Sequence, residues 1–191
     1  MKVYFSGSNH RLEDDIDKYR NITGTIKNLG HTITRDWIED DFTRKRKLQT
    51  YSLDDYRVIW SEVKESILQS DVAIFDVSEN SYSIGYQTAF ALSNKKPTLV
   101  LSDNQRISRT IIIGEDNPLL TIAQYKTESL RYIIESFLLK FSSSKQDLRF
   151  NMLLNRETQV FLELESYRTG RPKAKIIRDL LSDAIRSKNG L

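Results

Sequence analysis

The seven residues DVAIFDV, Asp71 to Val77, form a continuous apolar run held between acids. A second apolar run, PTLVL (Pro97 to Leu101), follows a turn over 78–84 and a helix-like stretch over 85–93. Apolar runs without alternation are the pattern of strands covered on both faces, the situation of a central strand in a parallel sheet. Two such runs joined through a helix commit this chain to an α/β layer architecture.

The flanking segments extend the alternation. Val3 to Phe5 reads as a short strand entering a Gly7-Ser8 turn, and Asp14 to Leu29 as a helix with Ile16, Tyr19, Ile22 and Ile26 on one face. Gly30 is placed to end that helix, and His31 to Thr34 can form a second strand. Residues 35–52 are polar, include the run Arg44-Lys45-Arg46-Lys47, and read as a loop. Leu53 to Gln69 is a helix with Ser52 as its cap. After Leu101 come a loop through Gly114 and Pro118, a strand over Leu120 to Tyr125 and a helix over Thr127 to Phe141. The expected fold is a Rossmann-like, doubly wound, mainly parallel sheet over residues 1–141. Ligands in such sheets bind beyond the carboxyl ends of the strands, so the loops after Phe5, Val77 and Leu101 are the places for a site.

A polar linker, 142–147, precedes a change of pattern. Residues 148–191 read as one strand and two helices broken at Gly170. A lone strand leaves its backbone groups unpaired and so short a unit buries little core, so this tail is expected to pair with a second copy of itself. From Ser144 onward ten Lys/Arg stand against six Asp/Glu, leaving the rest with 19 basic and 20 acidic residues. A near-neutral body with a basic tail suits a polyanionic partner for the tail. With no cysteine and only His10 and His31, disulfides, thiolate chemistry and histidine metal sites are excluded or disfavoured, and neither cofactor nor metal is expected. No apolar run is long enough for a membrane span, and MKVYFSGS reads as a strand rather than a signal peptide, so a cytoplasmic protein is the simplest expectation.

Three stretches taken in order, KVYFSGS, QSDVAIFDVSENSYSIGYQTAFALSNKKPTLVL and RISRTIIIG, resemble the nucleoside 2-deoxyribosyltransferase family and its 2′-deoxynucleoside 5′-phosphate N-hydrolase branch. The resemblance implies that Tyr4 lies near the sugar, that Gly7 and Ser8 receive a 5′-phosphate, and that Ser108 reaches a neighbouring subunit's site. It also implies a catalytic pair, a nucleophilic glutamate of a GYELG motif and an upstream aspartate. Their positions hold Gln87 and Val63. A neutral amide is a poor nucleophile and brings no charge to an oxocarbenium-like centre, but it can hydrogen-bond a ribose hydroxyl. Glu62 and Glu65 flank Val63, and Glu62 or Glu79 could substitute as the acid. Asp76, after the central strand, is a ligand contact or an end-of-strand cap.

RFNMLLNRETQVFLELESYRTGRPKAKIIRDLLSDAI resembles the ribbon-helix-helix family of Arc/MetJ/CopG-type DNA-binding proteins. That implies a homodimer whose paired strands enter the major groove. Alternation puts Phe150, Met152 and Leu154 toward the helices and Arg149, Asn151 and Leu153 toward the bases. Arg149 suits guanine and Asn151 adenine. Arg171, Lys173 and Lys175 surround the N-terminus of the last helix, where a phosphate would sit.

Together these readings lead to the expectation of a DNA-binding regulatory protein whose α/β domain binds a nucleotide without turning it over. Its partners would be double-stranded DNA, a nucleotide or nucleoside, and a second copy of the chain, with higher oligomers through the α/β domain. The alternatives are an active N-glycosidase or deoxyribosyltransferase, and an architectural oligomer.

Overall fold

The structure, a computed structural model, describes residues 1–10, 12–47, 50–142 and 153–188. The chain divides into two compact units, Met1–Asp147 and Leu148–Leu191.

In the first unit five parallel strands form one sheet: β1 (Lys2–Ser6), β2 (Thr32–Ile33), β3 (Val72–Asp76), β4 (Thr98–Ser102) and β5 (Leu120–Gln124), in the spatial order β2-β1-β3-β4-β5. Every strand pairing in it is parallel. The apolar runs noticed in the sequence are its centre, with β3 and β4 buried along their whole length.

Strand alternation sorts the side chains onto two faces. Val3 and Phe5 of β1, Val72 and Ile74 of β3, and Leu99 and Leu101 of β4 pack with α1 (Leu12–Asn28) and α5 (Thr127–Ser142), through Tyr19, Ile22, Ile26, Leu130, Ile134 and Phe137. Tyr4, Ala73 and Phe75 face the other way, onto Val63 and Ile67 of α3 (Leu53–Gln69) and Ile84 and Ala91 of α4 (Tyr82–Ser93). Each fully buried aliphatic or phenyl group contributes about 1.5–3 kcal/mol relative to exposure.

Local signals end the helices as chemistry requires. Ser52 and Asp55 form a reciprocal capping box at the start of α3, and the Ser81 hydroxyl accepts the Ile84 N–H at the start of α4. Beyond α1, Gly30 holds φ at +81°, where a Cβ would be strained. The Lys96 ammonium donates to the carbonyls of Leu68 and Ser70 at 2.6 and 2.7 Å, satisfying groups at the end of α3.

Several boundaries differ from expectation. Residues 35–52 are not a loop, because α2 spans Trp37–Lys47. Trp37 and Ile38 are buried in the α1/α5-side core, an anchor of two residues that a polar composition conceals. Glu39 and Asp40 in its first turn suit the helix dipole. Helix α4 starts three residues earlier than expected, at Tyr82, β2 shrinks to two residues, and the loop after β4 holds two 3₁₀ turns, Gln105–Arg109 and Ile111–Gly114.

The second unit contains α6 (Arg156–Thr169), capped by Asn155, and α7 (Lys173–Lys188). Leu162 and Ile176 are buried, while Val160, Phe161, Leu164, Tyr167, Leu180 and Leu181 are exposed by 46–94%. The expected strand is not shown: Leu153 and Leu154 have no strand assignment, and Arg149, Phe150, Asn151 and Met152 lie outside the described residues. No described helix is long and apolar enough to cross a membrane.

Candidate active site

From β1 the chain winds through α1 to β2 on one side, then returns to place β3 on β1's other side. Such a reversal opens a crevice at the carboxyl ends of the two strands. A cavity of about 380 Å³ lies there, lined by Ser6 at the end of β1, Gly7 and Asn9 after it, by residues of α2 and α3, and by the first turns of α4. That volume falls within the usual range for a small-molecule site.

At the sheet side of the cavity the Tyr4 hydroxyl donates to Gln87 Oε1 at 2.8 Å. Tyr4 is fully buried and Gln87 nearly so. Burial pushes the Tyr4 phenol up to about 12, with Ser6 and Arg35 pulling it partly back, so at neutral pH the phenol is a donor. With its oxygen engaged by Tyr4, the Gln87 amide keeps N–H groups for an acceptor in the cavity.

Arg35, missed in the sequence because it lay in the supposed loop, lines the cavity with its side chain only 12% exposed. Its Nε lies 3.1 Å from Asp40 and its guanidinium 3.2 Å from Glu62. The aromatic residues Trp37, Tyr51, Tyr56, Trp60 and Tyr86 supply flat walls. Tyr51 packs on Tyr56 and Trp60 on Tyr86, with ring centroids 5.6 and 5.0 Å apart. A planar heterocycle fits such surfaces through its π-face. Tyr56 and Trp60 share a face of α3 at i and i+4, but Trp37, Tyr51 and Tyr86 stand outside that helix, so no single period marks the set.

The remaining expected site residues are placed as follows. Val63 is buried in the α3/α4 core and touches the cavity, where it supplies only hydrocarbon. Gly7 lines the cavity and is held to glycine by close approach: a Cβ there would lie 2.7 Å from the Tyr19 ring. Ser8 is buried and turned into its own loop, its hydroxyl accepting from the His10 N–H and its carbonyl from the Tyr19 hydroxyl. Glu79 lines a neighbouring cavity of about 270 Å³ beyond β3 and β4. Ser108 is exposed and its hydroxyl donates to the Gln105 carbonyl.

Asp76 is separated from Gln87 by the sheet itself. It points to the α1/α5 side, where its carboxylate accepts from the Tyr125 hydroxyl at 2.7 Å and the Ser78 N–H at 3.1 Å, with Lys18 Nζ 3.9 Å away. Burial raises its pKa despite those partners, and burial beside Asp76 also raises that of Tyr125. Among the described residues, no group of three or more His, Asp or Glu is arranged to hold a metal ion.

In the second unit two of the cations expected on DNA are engaged internally. Lys173 Nζ lies 2.9 Å from Glu163, whose pKa is lowered by that hydrogen bond, and Arg171 lies 3.5 Å from Asp179. Lys175 and Leu153 are exposed, and Arg149 and Asn151 lie outside the described residues.

No family model matches the chain. It is 26% identical over 140 residues to the 5-hydroxymethyl-dUMP N-hydrolase of Esox lucius, covering 72% of this chain and 95% of that protein. Against the 5-hydroxymethyl-dUMP N-hydrolase of Tetraodon nigroviridis it is 25% identical over 151 residues, 76% of this chain and all of the relative. Among solved structures it is similar to a Clostridium botulinum CMP N-glycosidase (TM-score 0.49, 11% identity, 71% of this chain and 99% of that one). It is also similar to a 2-deoxyribosyltransferase of Bacillus psychrosaccharolyticus (TM-score 0.48, 16% identity, 69% and 90%). The sequence relations support a nucleoside 2-deoxyribosyltransferase-like or N-hydrolase domain. They overturn the expectation of a DNA-binding regulator with an inactive α/β domain, because relatives matched over nearly their whole length are named as nucleotide hydrolases.

Proposed function

We propose that the first unit is an N-glycosidase that hydrolyses the bond between base and sugar in a nucleoside 5′-monophosphate. The observation that carries this reading is Gln87, on the wall of an aromatic-lined cavity at the β1/β3 crevice and held from behind by the hydroxyl of the buried Tyr4. In the resemblance to the deoxyribosyltransferases these two positions flank the sugar. Relatives named as 5-hydroxymethyl-dUMP N-hydrolases support a monophosphate as the substrate class.

In this reading the base lies between the aromatic walls and the sugar against Gln87, whose amide Tyr4 orients. The phosphate lies toward the N-terminus of α4, where Ser81 and Ser83 line the cavity. The first N–H groups of a helix lack intrahelical partners and favour an anion. Arg35 adds positive charge to the same cavity, tempered by its two carboxylates.

The test is chromatography of a panel of nucleoside 5′-monophosphates and matching nucleosides after incubation with the full chain. Release of free base with sugar 5-phosphate is expected, faster from the monophosphates. Intact substrates throughout would overturn the proposal.

A second reading concerns the second unit. Val160, Phe161, Leu164 and Tyr167 recur at helical spacing along α6 and are exposed, as are Leu180 and Leu181 of α7. We propose that a second copy of the chain covers them. Sedimentation should show a dimer that Phe161→Glu with Leu181→Glu converts to monomer, and an unaltered mass would refute the assignment.

A further inference from the structure

Breaking an N-glycosidic bond places positive charge on the anomeric carbon. An anionic oxygen must then bond to that carbon or take a proton from the water that does. Gln87 cannot do the first. The chain has no cysteine, and neither of its two histidines lines the cavity. Among the described residues lining it, one carries a carboxylate: Asp41.

Asp41 belongs to α2, one turn after Trp37, and the two line the cavity together. Trp37 is 6% exposed and packs on Phe5 and Tyr19, so the helix that carries Asp41 is fixed to the core. Asp40 and Glu62 flank Arg35 without lining the cavity, and Asp76 lies across the sheet.

We propose that Asp41 is the general base of a single-displacement hydrolysis, so that the reaction survives without a nucleophile at position 87. This rests on the N-glycosidase reading above. A water oxygen bonds to C1′ as the C1′–N bond breaks and its electron pair leaves on the base. Asp41 takes the proton from the attacking water, the leaving base takes one from solvent, and Asp41 later returns its proton to solvent. Gln87, oriented by Tyr4, holds the sugar and remains neutral.

Three measurements on the full chain test this. Intact mass after incubation with a slow 2′-fluoro nucleotide should show no glycosyl adduct, and a second free base should accept no sugar. Asp41→Asn should lower kcat about 100-fold or more and flatten the acidic limb of the pH–rate profile, with nucleotide binding, followed by tryptophan fluorescence, retained. Asp41→Ala supplied with azide should yield the glycosyl azide of inverted configuration, which keeps the test decisive if the asparagine variant folds poorly. A covalent adduct, base exchange, or an asparagine variant as fast as the native chain would overturn the role of Asp41 while leaving the N-glycosidase intact. A native chain that releases no base from any nucleotide would instead overturn the N-glycosidase reading itself.

Discussion

Two tyrosines make hydrogen bonds of nearly equal length on opposite faces of the same sheet. Tyr125 donates to Asp76 at 2.7 Å and Tyr4 donates to Gln87 at 2.8 Å. The first pair includes a carboxylate and a nearby ammonium, and Asp76 has no exposed surface. The second is neutral, and Gln87 lines an open cavity. Perturbed ionisation alone would single out Asp76, whereas access to a ligand singles out Gln87. The charged pair therefore reads as a brace joining β3 to the segment after β5, and the neutral pair as part of a binding wall.

The sharpest way to break this contrast is Asp76→Ala. It leaves two buried donors, the Tyr125 hydroxyl and the Ser78 N–H, without their acceptor, while Lys18 keeps Asp15 and Asp103, and it should cost about 3–5 kcal/mol at about 1–3 kcal/mol for each donor. In a unit of this size that lowers Tm by roughly 6–20 °C, with little change in nucleotide affinity. A ligand-binding defect at unchanged Tm would reverse the two assignments.

Gly7→Ala comes next, since Gly7 lies between the faces, lining the cavity while touching Tyr19. Forcing a methyl against that ring should cost about 1–3 kcal/mol and weaken ligand binding as well, both visible in a melt with and without nucleotide. Tyr4→Phe should lose only about 1 kcal/mol of stability, yet slow base release at least tenfold by freeing the Gln87 amide to turn. Equal losses at Tyr4 and Asp76 would erase the distinction between wall and brace.

The smallest effect is in pH. The folded pKa of Asp76 is raised by burial, so its contribution to stability is full below the ordinary carboxylate value of about 4 and is lost as pH rises through the folded value. Urea unfolding of native and Asp76→Asn chains should show the difference moving in favour of the variant from pH 4 upward. A difference independent of pH would mean that the carboxyl titrates as it does in the unfolded chain.

The centre of the fold was legible because β3 and β4 are written as unbroken apolar runs and α3 carries its own capping box. Of the cavity wall, the residues singled out in the sequence are Gly7, Val63 and Gln87, where a motif crosses it. Helix α2 escaped notice because two buried residues, Trp37 and Ile38, hold an otherwise charged segment. With it went Arg35, Trp37 and Asp41, three residues of the cavity wall. A signal for Asp76 was present and unused: counting along β3, it shares parity with Val72 and Ile74, so it had to face α1 and α5.

The reversal of winding between β1 and β3 has a consequence for how such a chain can change over time. An opening created by the direction of two crossovers is a property of the backbone path, so exchanging a side chain on its rim does not close it. A lineage can then carry an amide at position 87 while keeping the chamber and its flat walls. Selection is left with an intact vessel whose lining can be altered one side chain at a time.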